Sequence, residues 1–374
     1  MNLRLFDKTH FLYVLAIIFF IFLRPWLGHG PERWWATHVA DLRTFMSRSC
    51  VQPLLSSDRL PRVEPVMPIR LLVCVAAGPF RQPRFSQLEA ALTEYLSYNT
   101  SRFKVTVMVD TVSIQVASAL QSQFSSVPAG MHFEVKLWKA SELEELFPAS
   151  AGWGGEPAEY LVSHAHRLYM HKLRAEFDYF VYSEDDMLVP ESAIALFVDR
   201  NSDLWELGWL LGFLRIEEDS AGQQSNPDMI SSQFRNPDNS GTGLRGVFEA
   251  YGQFYGAVEN PYGAVWALSR NQMDNFVNDP TGVYSTGAMA FDIRARMSWG
   301  YLMAHHPDGN WFPRALLPLT REMNVDTRAC VFHLPNNYCS KSNTSHCATL
   351  EQMNTVIRIS EPLPLSVHLD KPCW

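Results

Sequence analysis

The sequence predicts an α/β protein with a mostly parallel, doubly wound central sheet, preceded by one N-terminal transmembrane helix. Three observations predict it. Apolar runs of strand length alternate with segments of helical periodicity from Ile69 to Asp186, and strands that alternate with helices require right-handed crossovers and a parallel sheet. The chain has 374 residues, 47% hydrophobic and 19% charged, which supplies a sizeable core and too little charge for global disorder. A continuous apolar run, "FLYVLAIIFFIFL", occupies residues 11–23. The net charge of −8 leaves no basic footprint, so nucleic acid is excluded as a partner.

The N-terminal run is short for a span, which needs roughly 17–25 residues, and Trp26 and Leu27 extend it to residues 11–27. No small-x-small cleavage site follows in "RPWLGHGPERWW". The run therefore reads as an uncleaved signal anchor, with a cleaved signal peptide as the rival. Arg4 and Lys8 keep residues 1–10 cytoplasmic. Residues 28–66, rich in Pro, Arg, Ser and Trp, read as a stem, and residues 67–374 as a lumenal body. Two features agree with a lumenal body. Of six cysteines, Cys330, Cys339, Cys347 and Cys373 crowd the C-terminal end, which suggests a disulfide-stapled region with Cys339–Cys347 as the easiest local pair. Cys74 lies mid-strand and reads as a buried thiol. Asn99 and Asn343 open N-x-[ST] sequons.

The elements follow in order. "IRLLVCVAA", "FKVTVMVD", "HFEVKLW" and "DYFVYSEDD" read as four strands. "RFSQLEAALTEYLSY", "SIQVASALQSQF" and "EPAEYLVSHAHRLYMHKLRAE" read as the helices between them. Beyond Pro190, "ESAIALFVDR" reads as a helix, "LGWLLGFLRIE" as one strand and residues 218–262 as long polar loops. "GAVWALS" reads as a strand, "RNQMDNFVND" and "MAFDIRARMSWGYLMAHH" as helices, and "ACVFHLPNNY" as a strand with His333 at its edge. The body divides after Pro190 into a regular half, 67–190, and a less regular half, 191–374.

The fourth strand carries the chemistry. "FDYFVYSEDDMLVP" ends in Glu184, Asp185 and Asp186 and returns at once to apolar sequence. Buried carboxylates need a partner or a metal, and carboxylate oxygens suit Mn²⁺ or Mg²⁺. Ligands of doubly wound sheets sit at the carboxyl ends of strands, where this triplet falls. A strand ending in an acidic triplet behind an anchor and a stem resembles the D-x-D motif of GT-A-fold, nucleotide-sugar glycosyltransferases of type II Golgi topology, with E-D-D in place of D-x-D. That resemblance implies a Rossmann-like GT-A fold, a nucleotide-sugar donor and a glycan or glycoprotein acceptor. It implies Asp186 as the main metal ligand, Glu184 and Asp185 reaching the ribose or the metal through water, and a late-chain His, here His333, as a further ligand. It also implies a Golgi or ER membrane location.

The remaining candidates read as follows. Gly78 in "VAAGPFRQPRF" would permit close backbone approach, and Arg81 or Arg84 would meet a base or phosphate. Asp110 would accept from a base or ribose, or else belong to a helix N-cap region. His164, Arg167, His171 and Arg174 recur on one helical face, and Arg167 is singled out for a diphosphate because its fork matches phosphate oxygens. Asp292 is the chosen catalytic base for an inverting transfer. Two rivals share these residues: a metal-dependent phospho- or nucleotidyltransferase, and a membrane-tethered carbohydrate-binding protein without turnover.

Overall fold

The computed structural model describes residues 67–79, 81–147, 157–227, 244–258, 263–278, 303–305, 311–313, 315–339, 347–360 and 362–364. All lie in one compact unit, Ser57–Trp374. The expected transmembrane segment 11–27, the stem, Asp292 and the Asn343 sequon lie outside the described residues. Among the described residues no helix is long and apolar enough to cross a membrane.

The first part of the chain runs β1 (Ile69–Ala77), α1 (Gln82–Leu96), β2 (Phe103–Thr111), α2 (Ile114–Gln123), β3 (His132–Leu137), α3 (Ala140–Leu146), α4 (Ala158–Leu173) and β4 (Tyr179–Glu184). It continues through β5 (Met187–Leu188), α5 (Glu191–Glu206), β6 (Leu210–Leu211), β7 (Leu214–Glu218), β8 (Gln224–Asn226), β9 (Leu244–Ala250), β10 (Gln253–Val258), β11 (Val265–Ser269) and α6 (Arg270–Val277). The last elements are β12 (Met303–His305), β13 (Trp311–Pro313), β14 (Ala315–Pro318), β15 (Cys330–His333), β16 (Ala348–Thr349), α7 (Leu350–Ile359) and β17 (Leu363–Pro364).

The result is a mixed α/β structure with parallel sheet portions. The central sheet has the order β11-β4-β1-β2-β3. β1 pairs in parallel with both β2 and β4, β2 with β3, and only β11 runs antiparallel. β1 reads as an unbroken apolar run because both its faces are covered. Val73 and Val75 pack into one layer with Phe85, Leu88 and Leu92 of α1. Leu72 and Cys74 pack into the other with Leu161 and Ala165 of α4. Proline in the first turn of α1 costs no hydrogen bond there. Ser113 caps α2 by accepting from the Val116 N–H, so the cap is Ser113 and not Asp110.

From β1 the chain moves outward to β2 and β3, then returns to place β4 on the opposite flank of β1. The winding therefore reverses between β1 and β4, and a crevice opens outside their carboxyl ends. There the chain leaves the central sheet. β5 follows the acidic triplet and joins a different sheet, ordered β16-β8-β7-β15-β5. A further sheet runs β17-β9-β10-β14-β6.

Four sequence expectations change. The run "LGWLLGFLRIE" is two strands in two sheets, β6 and β7, separated at Gly212, where an added Cβ would lie 3.0 Å from the Ala315 Cβ. Residues 218–262 are not all loop: they hold β8 and the hairpin β9–β10. Met303–His305, the end of the expected long helix, is a strand paired with β13. Helix α3 was absent from the sequence reading, and it packs Leu143 and the following Phe147 among α4 residues. The Cys339–Cys347 disulfide is formed, and Cys74 is a buried free thiol, as is Cys330.

Candidate functional site at the reversal of the sheet

β4 reaches the crevice as a rigid strand, with Phe180, Val181 and Tyr182 fully buried. Its last residue, Glu184, pairs with Ala76 of β1, and its N–H donates to the Ala264 carbonyl at 3.0 Å. The two aspartates that follow are buried, Asp185 at 2% and Asp186 at 8% exposure. Asp185 Oδ2 accepts from the Gly78 N–H at 2.8 Å. Its Oδ1 accepts from Arg84 Nε at 2.8 Å and Nη2 at 2.6 Å. Asp186 Oδ2 lies 3.7 Å from Arg84 Nη2 and 3.6 Å from His333 Nε2. Asp186 Oδ1 is buried without a hydrogen-bond partner.

The juxtaposition of Asp186 and His333 is built by backbone. β5 pairs with β15 with His333 opposite Met187, and the Leu334 N–H donates to the Asp186 carbonyl at 2.9 Å. The imidazole is fixed from behind: its Nδ1 lies 2.6 Å from Glu217 Oε1. Glu217 also accepts the N–H groups of Tyr338 at 3.1 Å and Cys339 at 2.8 Å. The turn "LPNNYC" that presents those two groups has Asn336 in the left-handed region at φ 52°, a conformation asparagine tolerates. With Nδ1 engaged by Glu217, Nε2 is the nitrogen turned to Asp186.

Arg215, on the same strand as Glu217, stacks over Tyr338 with its guanidinium carbon 5.2 Å from the ring centre. Burial would raise the Asp186 carboxyl, but His333, Arg84 and Arg215 outweigh it and hold the group below its ordinary range. Burial would lower His333, but Asp186 and Glu217 raise it. Arg84 therefore stands as a fixed cation beside Asp185 and Asp186 and lessens the repulsion within the triplet, while His333 faces Asp186 from the other sheet.

The other sequence candidates fall at different distances from this cluster. Gly78 uses its N–H on Asp185, and an added Cβ would meet Asp185 and Arg84 at ordinary contact distances of 3.5–3.8 Å. Arg81 is exposed at the N-cap of α1 and makes no side-chain cap bond. Asp110 ends β2 and is buried, with Oδ1 accepting from the Trp138 indole N–H at 2.7 Å and Oδ2 unpartnered. Burial pushes its carboxyl up to about 7. Arg167 is buried, its guanidinium carbon 5.1 Å over the Phe276 ring. The basic stripe of α4 is therefore divided: His164 and Arg167 lie in the interior, and Arg174 pairs with Asp274 at 3.1 Å. The cations acting on Asp186 are Arg84, His333 and Arg215.

Glu217 and Arg215 escaped the sequence reading. Their signal was present: two charges at alternate positions of "LRIEE", a strand buried from Leu214 to Glu217, repeat the oddity of the triplet.

Among the described residues no group of three or more His, Cys, Asp or Glu side chains converges as a metal cage. Asp186 and His333 do face one another, one with an unsatisfied oxygen and the other oriented from behind. A hard cation bound through one or two protein groups and completed by substrate phosphates fits such a pair.

No protein-family model matches the chain. No curated protein matches it. Among solved structures, the apo form of mouse xyloside xylosyltransferase 1 is similar with 13% identity and a TM-score of 0.36, over 62% of this chain and 81% of that one. An active-site mutant of LgtC is similar with 13% identity and a TM-score of 0.28, over 61% of this chain and 70% of that one. At that level of likeness the chemistry has to be argued from the site itself.

Proposed function

We propose that the protein is a glycosyltransferase that moves a sugar from a nucleotide-sugar donor to a hydroxyl of a glycan or glycoprotein. The observation that carries this reading is the buried Asp186–His333 pair, backed by Glu217 and placed outside the carboxyl ends of β1 and β4 where the sheet reverses. A crevice of that kind takes a nucleotide. Asp186 and His333 would hold Mn²⁺ or Mg²⁺, which as a Lewis acid would stabilise the departing diphosphate. Asp110 and Glu184 stand in one register row on either side of Ala76 and would bracket the nucleoside. Asp292 is the proposed base for the acceptor hydroxyl. The N-terminal apolar run would tether the enzyme to a Golgi or ER membrane with this body in the lumen.

The test is a turnover assay of the full chain against a panel of UDP- and GDP-sugars with and without Mn²⁺. The expected result is metal-dependent release of nucleoside diphosphate, reduced on the order of 100-fold or more in Asp186→Ala. Transfer of phosphate without sugar would move the assignment to a phosphotransferase. Sugar binding without turnover would move it to a lectin-like role.

A further inference from the structure

Arg84 is placed to do more than neutralise the triplet. It belongs to the first turn of α1, directly after β1, so backbone geometry carries it to the crevice. Asp185 grips it on one edge: Nε and Nη2 both donate to that carboxylate, within 3.0 Å. A guanidinium has five N–H groups in a rigid fork, and this grip leaves the Nη1 edge unengaged. The side chain is 44% exposed while Asp185 is 3% exposed, so the clamp is interior and the free edge faces outward. Asp185 is itself fixed by the Gly78 N–H at 2.8 Å. The N-terminus of α1 also lacks a side-chain cap at Arg81, which leaves first-turn N–H groups without a side-chain acceptor beside Arg84. Beside it, with Oδ2 3.7 Å from Arg84 Nη2, Asp186 keeps an unpartnered, buried Oδ1. A half-exposed positive fork and an uncapped helix N-terminus thus lie beside the Asp186 carboxylate. A phosphate-bearing ligand suits the fork and the helix N-terminus together.

We propose that Arg84 binds the diphosphate of the nucleotide ligand and that Asp185 is its positioning residue, holding the fork toward the crevice and taking no direct part in ligand contact. This rests on reading the site as a nucleoside-diphosphate crevice, and it revises the role the sequence suggested for Asp185. Arg81, three residues earlier, makes no such clamped contact.

The experiment is isothermal titration of the full chain with UDP and GDP in the presence of Mn²⁺, and with uridine and guanosine as phosphate-free probes. Arg84→Ala is expected to weaken the diphosphate on the order of tenfold to 100-fold, consistent with a charge-assisted bond, and to leave the nucleoside unchanged. Arg84→Ala strands the buried Asp185 carboxylate, which endangers folding. The double variant Arg84→Met with Asp185→Leu removes both charges and keeps the packing, and it is expected to show the same selective loss. Asp185→Asn keeps the shape but weakens the clamp, and a smaller loss in the same direction is expected. If wild type binds neither diphosphate, the nucleotide reading itself fails. If wild type binds and the Arg84 variants bind as tightly or more tightly, Arg84 is only an internal counter-ion and the inference is overturned.

Discussion

Asp110 ends β2 with one oxygen on the Trp138 indole and the other on nothing. Its ordinary value is 3.8, and burial raises it to about 7. Between about pH 4 and 7 the folded protein therefore keeps a proton that the unfolded chain has released, so stability falls as pH rises through that window. By pH 8 the linkage withdraws on the order of 4 kcal/mol, an upper figure because water entry or a ligand donor would relieve it. Asp110→Asn keeps an oxygen for Trp138 and has nothing to ionise. Urea denaturation should show it equal to wild type near pH 4 and more stable by about 1–3 kcal/mol at pH 8. A pH-independent difference would mean that Asp110 titrates normally. The residue thus carries a cost that a core position would not need, which agrees with a carboxyl kept for a ligand.

Among elements, the short link from β4 to β5 matters most, because it holds the triplet between two sheets. On the α1 side, besides the Arg84 clamp on Asp185, the buried Tyr98 hydroxyl donates at 2.6 Å to the carbonyl of Val189, the residue just past β5. Tyr98→Phe leaves that carbonyl without its partner and should cost about 1–2 kcal/mol in chemical denaturation. An unchanged midpoint would show that the carbonyl is otherwise satisfied. The elements that set this geometry were legible to different degrees. β1 is apolar without a break from Leu71 to Ala77, and β2 and β4 keep dense apolar stretches around Lys104, Thr106 and Ser183, because both sheet faces are covered. The hairpin β9–β10 did not, because Gly246 and Gly256 dilute its alternation. Its turn is nonetheless written in the sequence: Tyr251 and Gly252 both take positive φ, 53° and 70°, the pairing a two-residue hairpin needs. In the site, Asp186 and His333 were legible because each stands at the end of an apolar strand. Arg84 was one of two arginines that spacing alone could not separate. Glu217 was not legible as a partner of His333 because the pair is 116 residues apart in sequence and β15 meets β7 only in the folded sheet.

At the scale of the whole molecule, the site lies where the chain passes from one sheet to another. Asp186 leaves the central sheet, His333 and Glu217 belong to the sheet of β15 and β7, and the C-terminal disulfide stands directly behind them. Cys339 contributes its N–H to Glu217 at 2.8 Å and its sulfur to the bridge with Cys347. The covalent link thus steadies the turn that holds Glu217, which holds His333, which faces Asp186. Replacing both cysteines, Cys339→Ser with Cys347→Ser, opens a loop of 8 residues' separation, and loop-closure entropy assigns that about 2–3 kcal/mol. If the bridge were only a staple, the loss would appear in the denaturation midpoint alone. If the chain of contacts runs as described, a second loss appears far below the melting temperature. Mn²⁺ binding in the presence of a nucleoside diphosphate should weaken on the order of tenfold, the scale expected when a group orienting a ligand histidine is loosened. Tyr98→Phe, similar in stability cost but outside the Glu217 turn, provides the comparison at the same temperature. Equal Mn²⁺ affinity in the cysteine double variant and Tyr98→Phe would sever the disulfide from the site and leave Glu217 held by its local turn alone.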